Sequence, residues 1–171
     1  MGREIRHVIP NWDHPMKTEY NVFRRQEETF YQPMYDRSYR EAAETWRKKF
    51  AEWEASERQK YFQETGEDYE YWDWNGQPPD KNYYRPDWKP DEVTWIQVYE
   101  TVSEGTPVSP PFATREELID YLVENGDFWD QKRGDGGWTR ENATAFVGRG
   151  FAMSMMVNTA TGEIKTARDG A

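Results

Sequence analysis

Two histidines and a few groups of carboxylates are the side chains of this sequence whose types and spacing could support chemistry. His7 and His14 are separated by six residues, with Pro10 between them, so they share no helical phase. A mononuclear metal site built from Asp13 and His14 is conceivable but disfavoured. The chain has no Cys and no HExxH, GxSxG, Walker or dinucleotide-glycine motif. These residues predict no metal site, no cofactor and no catalytic residue, and they favour a binding protein over an enzyme.

Carboxylates among tryptophans are the second pattern with chemical meaning, because glycosidases use two acids beside aromatic rings that stack on a sugar. The residues are Glu70, Asp73 and Asp87, with Trp72, Trp74 and Trp88 nearby. Since the chain has 32 acidic residues, such neighbours are expected by chance. A small glycan-active or glycan-binding protein therefore remains only a second alternative.

One long helix is the clearest element that could position such residues. Apolar side chains recur at spacings of three and four between about residues 36 and 65, at Tyr39, Ala43, Trp46, Phe50 and Trp53. The segment has no internal Gly or Pro and ends at Thr65-Gly66, so we expect an amphipathic helix whose aromatic stripe faces the core. Residues 1–35 predict an extended arm with one short strand near Ile5–Ile9.

Alternating and capped patterns organise the C-terminal half. Residues 93–102 predict a strand, and Thr114 with Glu117 forms a capping box that opens a helix closed by Asn125-Gly126. The only two leucines, Leu118 and Leu122, should mark the centre of the C-terminal core. A loop over 126–137, a short helix over 139–147, a strand over 151–157 and a return over 163–167 complete the pattern.

The element order predicts an α+β fold. It comprises one long N-terminal amphipathic helix, an aromatic acidic loop, and a small antiparallel sheet with two short helices. We divide the chain into an arm and helix over 1–66, the loop over 67–92 and an α+β core over 93–171, forming one compact domain.

Aromatic residues replace aliphatic ones in this chain. Val, Ile, Leu and Phe together number only 24 of 171 residues, which with a net charge of −10 would ordinarily indicate disorder. Nine Trp, eleven Tyr and eight Phe reverse that expectation, because each ring buries a large area. No apolar run approaches 18 residues and the N-terminus lacks a signal-peptide core, so we expect neither a membrane-spanning helix nor secretion by that route.

The charge imbalance lies in one block. Residues 67–135 contain seventeen acidic and six basic side chains, while the rest of the chain is nearly balanced. Such a block repels nucleic acid and anionic membrane and attracts basic partners. Direct nucleic-acid binding is not expected, since phosphate contacts require a basic surplus.

Several segments resemble a group of uncharacterised proteins from tailed bacteriophages and prophages. The segments are REIRHVIPNWDHP at 3–15, PPDKNYYRPDW at 78–88, VYETVSEGTPVSPPFATREELIDYL at 98–122 and NGDFWDQKRGDGGW at 125–138. The segments are spread between residues 3 and 138, and the resemblance carries no established activity. It implies a viral or prophage product acting in the cytoplasm of a host bacterium.

The leading hypothesis is a phage-encoded, non-enzymatic binding protein whose acidic aromatic surface occupies a basic surface on a host protein. A nucleic-acid-handling or defence protein would be the natural target, in the manner of anti-CRISPR proteins that mimic DNA charge. The expected contact residues are Glu67, Asp68, Glu70, Trp72, Asp73, Trp74 and Trp88. The alternative is a virion structural or assembly protein that forms a homo-oligomer, because chains with many aromatics and few aliphatics often need partners to bury their surface.

Overall fold

Two compact units make up the chain in the computed structural model, which describes residues 2–101, 105–153 and 156–169. The first, which we call the core unit, combines Met1–Met34 with Trp88–Ala171. The second, the helical unit, is Tyr35–Asp87. The predicted α+β class is confirmed at the level of a mixed α and β fold with small antiparallel sheets.

The core unit is built on a three-stranded antiparallel sheet. Its strands are β1 (Arg3–Val8), β6 (Trp95–Glu100) and β7 (Phe151–Ala152), in the order β6-β1-β7. The register places Ile5 opposite Val98 on one side of β1 and Arg3 opposite Ala152 on the other. The N-terminal segment is therefore the central strand of the sheet, not an extended arm.

Helices α4 (Arg115–Asn125) and α6 (Arg140–Arg149) pack on this sheet. The predicted capping box is present, since the Thr114 hydroxyl accepts from Glu117 N and the Glu117 carboxylate accepts from Thr114 N. Leu118 and Leu122 are fully buried in the hydrophobic cluster, which confirms their predicted place. The cluster also includes Ile96, Val98, Trp138, Phe146 and Ala152.

Three further elements of the core unit differ from the sequence prediction or extend it. Strands β2 (Met16–Asn21) and β3 (Gln26–Tyr31) form an antiparallel hairpin inside the predicted arm. Helix α5 (Phe128–Arg133) lies inside the predicted loop, where the Asp127 carboxylate caps its first turn. Of the predicted strand over 151–157, Phe151–Ala152 joins the central sheet as β7, and only β8 (Met156–Val157) pairs with the return strand β9 (Ile164–Lys165). Residues 154 and 155 of the predicted strand lie outside the described residues.

The helical unit begins with β4 (Tyr35–Ser38), which pairs in parallel with β5 (Tyr84–Arg85). The Ser38 hydroxyl then caps α1 (Tyr39–Glu52) by accepting from Glu41 N. A π-helical turn at Trp53–Glu57 joins α1 to α2 (Arg58–Thr65), so the predicted long helix is interrupted and is not one uniform α-helix. Helix α3 (Tyr71–Asn75) and a 3₁₀ turn at Lys81–Tyr83 lie within the predicted aromatic loop.

Candidate binding surface

Six of the seven predicted contact residues lie in one short stretch of the helical unit. Glu67, Asp68 and Glu70 follow α2, and Trp72, Asp73 and Trp74 lie on α3. We call residues 64–74 the acidic aromatic surface. The seventh residue, Trp88, belongs to the core unit, where its ring meets that of Trp12 edge-on with centroids 4.7 Å apart.

Local backbone signals build this surface. Helix α2 ends because Gly66 adopts a left-handed conformation with φ +75°, and its N–H donates to the Phe62 carbonyl at 2.8 Å. Helix α3 starts with a reciprocal capping box, in which the Asp73 carboxylate accepts from Glu70 N at 3.0 Å and the Glu70 side chain accepts from Asp73 N. Two of the predicted contact residues therefore also shape the backbone.

Tyr71 anchors the surface to the helix below it. Its side chain is buried, with ring centroids 5.4 Å from Trp46, 5.7 Å from Phe50 and 6.4 Å from Trp53. Burial, followed by the negative charge of nearby glutamates, raises the pKa of the Tyr71 hydroxyl. Of the predicted stripe, Ala43 and Trp53 are buried and Trp46 and Phe50 are half-buried against Tyr71, whereas Tyr39 is exposed.

The two indoles of α3 remain in contact with solvent. Trp72 is 38% exposed and Trp74 is 63% exposed. The Trp74 ring is held edge-on by Tyr61 and Tyr69, at centroid distances of 6.1 and 5.7 Å. Trp72 stacks at 6.4 Å on Phe50. Both indoles are therefore positioned by neighbouring rings, and Trp74 is the more exposed of the two.

Arg58 ties the acidic turn to the helix. Its guanidinium donates to both carboxylate oxygens of Asp68, at 2.9 and 3.0 Å, and also contacts Glu54 at 3.2 Å and Glu70 at 3.4 Å. The hydrogen bonds from Arg58 lower the pKa of Asp68, and those to Asp68 raise the pKa of Arg58. We call this bidentate contact between Arg58 and Asp68 the Arg58 fork. It fixes the solvent-exposed turn between α2 and α3.

The remaining charge of the surface is negative. Residues 64–73 contain five carboxylates and no Lys or Arg. The Glu67 carboxylate accepts from the Tyr69 hydroxyl at 2.9 Å, and this bond raises the pKa of Tyr69. The surface therefore combines exposed indoles with exposed anions, which is the chemistry of a docking site for a basic partner.

The predicted acidic block over 67–135 is divided between the two units. Its first 21 residues lie in the helical unit and the rest lie in the core unit. Glu100, Asp127 and Asp130 are buried and hydrogen-bonded inside the core unit, so they add nothing to an exposed field. Sequence charge counts overestimated the exposed charge because they cannot distinguish a buried, paired carboxylate from a solvated one.

The histidines occupy different surroundings. His7 is exposed on β1, whereas the ring of His14 is buried and both of its nitrogens are engaged, by the Gln32 carbonyl at 2.7 Å and the Tyr99 hydroxyl at 3.1 Å. Within residues 2–101, 105–153 and 156–169, no cluster of three His, Asp or Glu side chains is arranged to hold a metal ion.

Comparisons with protein-family models, curated proteins and solved structures find no match to this chain. In the part of the chain that the structure describes, no helix is both long enough and apolar enough to cross a bilayer.

Proposed function

We propose that this protein is a non-enzymatic binding protein that docks its acidic aromatic surface on a basic surface of a partner protein. The observation that carries the proposal is the exposure of Trp72 and Trp74 in a segment, residues 64–73, that contains five carboxylates and no Lys or Arg of its own, with Arg58 of α2 paired to Asp68 and Glu70. The partner class that fits is a nucleic-acid-handling or defence protein of a host bacterium. The phage or prophage origin remains a proposal supported by the sequence resemblance.

Exposed indoles supply the affinity in this proposal. Tryptophan is enriched among the few interface residues that dominate binding energy, because a large rigid ring buries much apolar area and loses little conformational entropy. Trp72 and Trp74 are adjacent to rings that hold them in place. Desolvation of these two indoles by a partner pocket is the main expected source of binding energy.

The carboxylates supply steering and register. Exposed anions accelerate encounter with a basic surface, and this effect weakens as salt screens the charges. Glu67 and Asp73 are exposed beside the two indoles, so they would meet Lys or Arg at the rim of the interface. The association rate of the complex should therefore fall steeply with ionic strength.

Pre-organisation lowers the entropy lost on binding. The Arg58 fork holds Asp68 from the helix side, and the Glu70–Asp73 capping box fixes the start of α3. A surface that is already ordered in the free protein loses less conformational freedom when it docks. These contacts therefore favour binding by ordering the surface before it docks.

Affinity purification from host lysate in low salt, with partners identified by mass spectrometry, tests the proposal. A partner should be retained by the wild type and lost with Trp72→Ala/Trp74→Ala and with Glu67→Lys. Glu44→Lys, which makes the same charge change on the exposed face of α1, is the matched control and should retain the partner. If all three variants retain the same protein equally, or if the wild type retains none, the proposed function is wrong.

A second candidate, self-association as an assembly protein, is favoured by the tip of the β2–β3 hairpin. Phe23 is 99% exposed there, beside the exposed side chains of Val22 and Tyr20. A fully exposed ring at the end of a hairpin suits insertion into another chain. A solution mass above that of the monomer, reduced to the monomer by Phe23→Ser, would favour this candidate over the first.

A further inference from the structure

An apolar cleft of about 660 Å³ lies within the core unit, and none of its lining residues belongs to the acidic aromatic surface. One wall comes from the β2–β3 hairpin, the floor from residues 106–108, and the other wall from α5. Small-molecule sites have volumes of about 300–1,000 Å³ and mainly apolar walls. The cleft is of the right size for a compact organic molecule.

The walls present large apolar side chains to solvent. Met16 and Phe30 on the hairpin and Phe128 on α5 are all exposed, whereas Pro107 and Val108 below them are buried. Single exposed apolar residues are ordinary, but a contiguous concave group of them indicates a binding surface. A ligand body that fills this space would be held mainly by removal of apolar area from water.

Two charged residues line the cleft, and their surroundings differ. The Glu100 carboxylate is buried and accepts hydrogen bonds from Trp129 Nε1 at 2.9 Å and from the Thr106 hydroxyl at 2.6 Å. Because each of its oxygens already has a donor, Glu100 needs no cationic ligand. Its role is to hold the Trp129 indole in the wall.

Lys132 is an exposed residue that lines the same cleft. Its ammonium lies 5.5 Å from the ring centroid of Phe128 and 5.6 Å from that of Trp129. Among the described residues, no carboxylate oxygen lies within salt-bridge distance of it. A cation that rests on two aromatic faces and has no ion-pair partner is placed to receive an anion at the edge of an apolar site.

We propose that this cleft binds a small aromatic carboxylate, with its ring between the hairpin and α5 and its carboxylate on Lys132. An amine would be repelled by the ammonium, and a neutral analogue would gain only the apolar contacts. A bare inorganic anion would leave the walls solvated. The inference is independent of the proposed docking function, since no residue is shared between the two sites.

Three probes with the same naphthalene ring test the proposal: 2-naphthylacetate, 2-(2-naphthyl)ethanol and 2-(2-naphthyl)ethylamine. Titration of the full chain by NMR gives the Kd of each probe and the indole N–H shift of Trp129. We expect the carboxylate to bind about tenfold more tightly than the alcohol, as for one charge-assisted hydrogen bond, and the amine to bind most weakly. The Trp129 resonance should move with each probe that binds.

Variants separate the charge from the apolar contact. Lys132→Gln should remove the advantage of the carboxylate while it leaves the Kd of the alcohol unchanged, and Lys89→Gln, an exposed lysine of the same unit outside the cleft, should change neither. Met16→Ala/Phe30→Ala should weaken every probe. Equal Kd values for carboxylate and alcohol would overturn the proposal. It would also be overturned if the probes shifted other resonances but left the Trp129 indole resonance unmoved. Displacement of all three probes, regardless of their charge, by a second copy of the chain or by a peptide would overturn it as well.

Discussion

The Nδ1 atom of His14 lies 3.1 Å from the hydroxyl oxygen of Tyr99, so the protonation of His14 is coupled to the direction of the Tyr99 hydrogen bond. The His14 Nε2 atom faces the Gln32 carbonyl at 2.7 Å, so it must carry a hydrogen. The Gln97 amide donates to the Ser109 carbonyl, and its oxygen accepts from Tyr99 at 2.9 Å. With a neutral ring, the single Tyr99 hydroxyl proton has two acceptors, Nδ1 of His14 and the Gln97 oxygen.

Burial disfavours the protonated form of His14. Removal from water is the largest effect and lowers the pKa of the ring, and the positive charge of Arg6 lowers it further. The Gln32 carbonyl and the Asp13 carboxylate act in the opposite direction without reversing the result. The folded protein therefore binds fewer protons at this site than the unfolded chain does.

The first prediction concerns pH. Because the His14 pKa lies below its unfolded value of about 6.5, the free energy of unfolding is greatest above that pH and falls as pH drops through it toward the folded pKa. His14→Gln keeps a donor for the Gln32 carbonyl but cannot titrate. Urea denaturation at pH 7.5 and 5.5 should show that the free energy of unfolding falls more between these two pH values in the wild type than in His14→Gln. Parallel losses in the two proteins would contradict the prediction.

The second prediction concerns the buried leucines. Leu118→Ala removes a fully buried side chain from between the sheet and α6, and should lower the free energy of unfolding by about 3–4 kcal/mol. Ile164→Ala on the exposed face of β9 is the matched control and should change it by less than about 0.5 kcal/mol. Urea titrations of both variants give the two changes in the free energy of unfolding. Similar changes would show that Leu118 does not lie at the centre of the core.

Elements with a strong local signal were predictable from sequence. The capping box at Thr114 and the apolar face that follows it located α4, because cap, periodicity and stop signal all agree there. The β2–β3 hairpin was missed, since its turn lacks Gly and places Arg25 at φ +55°, a conformation more typical of Gly or Asn. Helix α5 was missed because the three glycines that follow it resemble a loop.

The acidic aromatic surface and the apolar cleft also differ in how far the sequence alone reveals them. The acidic aromatic surface is contiguous in sequence at 64–74, so composition alone could find it, although the sequence could not show that Tyr71 would point inward and Trp74 outward. The residues that line the apolar cleft are far apart in the sequence, from Met16 and Phe30 through Glu100 and Pro107 to Phe128 and Lys132. No local pattern brings those residues together, so only the tertiary fold reveals that Lys132 borders an apolar space.

The third prediction concerns the Arg58 fork. Arg58→Ala removes the bidentate contact with Asp68, so the turn between α2 and α3 should open more often. Hydrogen exchange at the Glu70 and Asp73 amides should become faster than in the wild type. Lys60→Ala is the control, because Lys60 contacts Glu64 only at 4.0 Å, and it should leave exchange at those amides unchanged. Equal exchange in both variants would show that the capping box alone fixes the turn.

The last prediction concerns the ion pair between β1 and α5. Asp127 accepts from Arg3 Nε at 2.5 Å, and both side chains are almost completely buried. Its other oxygen accepts from the N–H groups of Trp129 and Asp130 at the start of α5. Asp127→Ala removes both roles at once and leaves the guanidinium without this partner, so the free energy of unfolding should fall by about 3–5 kcal/mol.

A second variant distinguishes the ion pair from the helix cap. Asp127→Asn keeps an oxygen that can cap α5 but loses the negative charge, so most of the destabilisation should remain if the buried charge is what matters. Arg140→Ala, which breaks an exposed pair with Asp120, should leave the urea midpoint almost unchanged. If Asp127→Asn is as stable as the wild type, the cap and not the ion pair holds α5 in place. The wall of the apolar cleft that α5 provides would then depend on the cap alone.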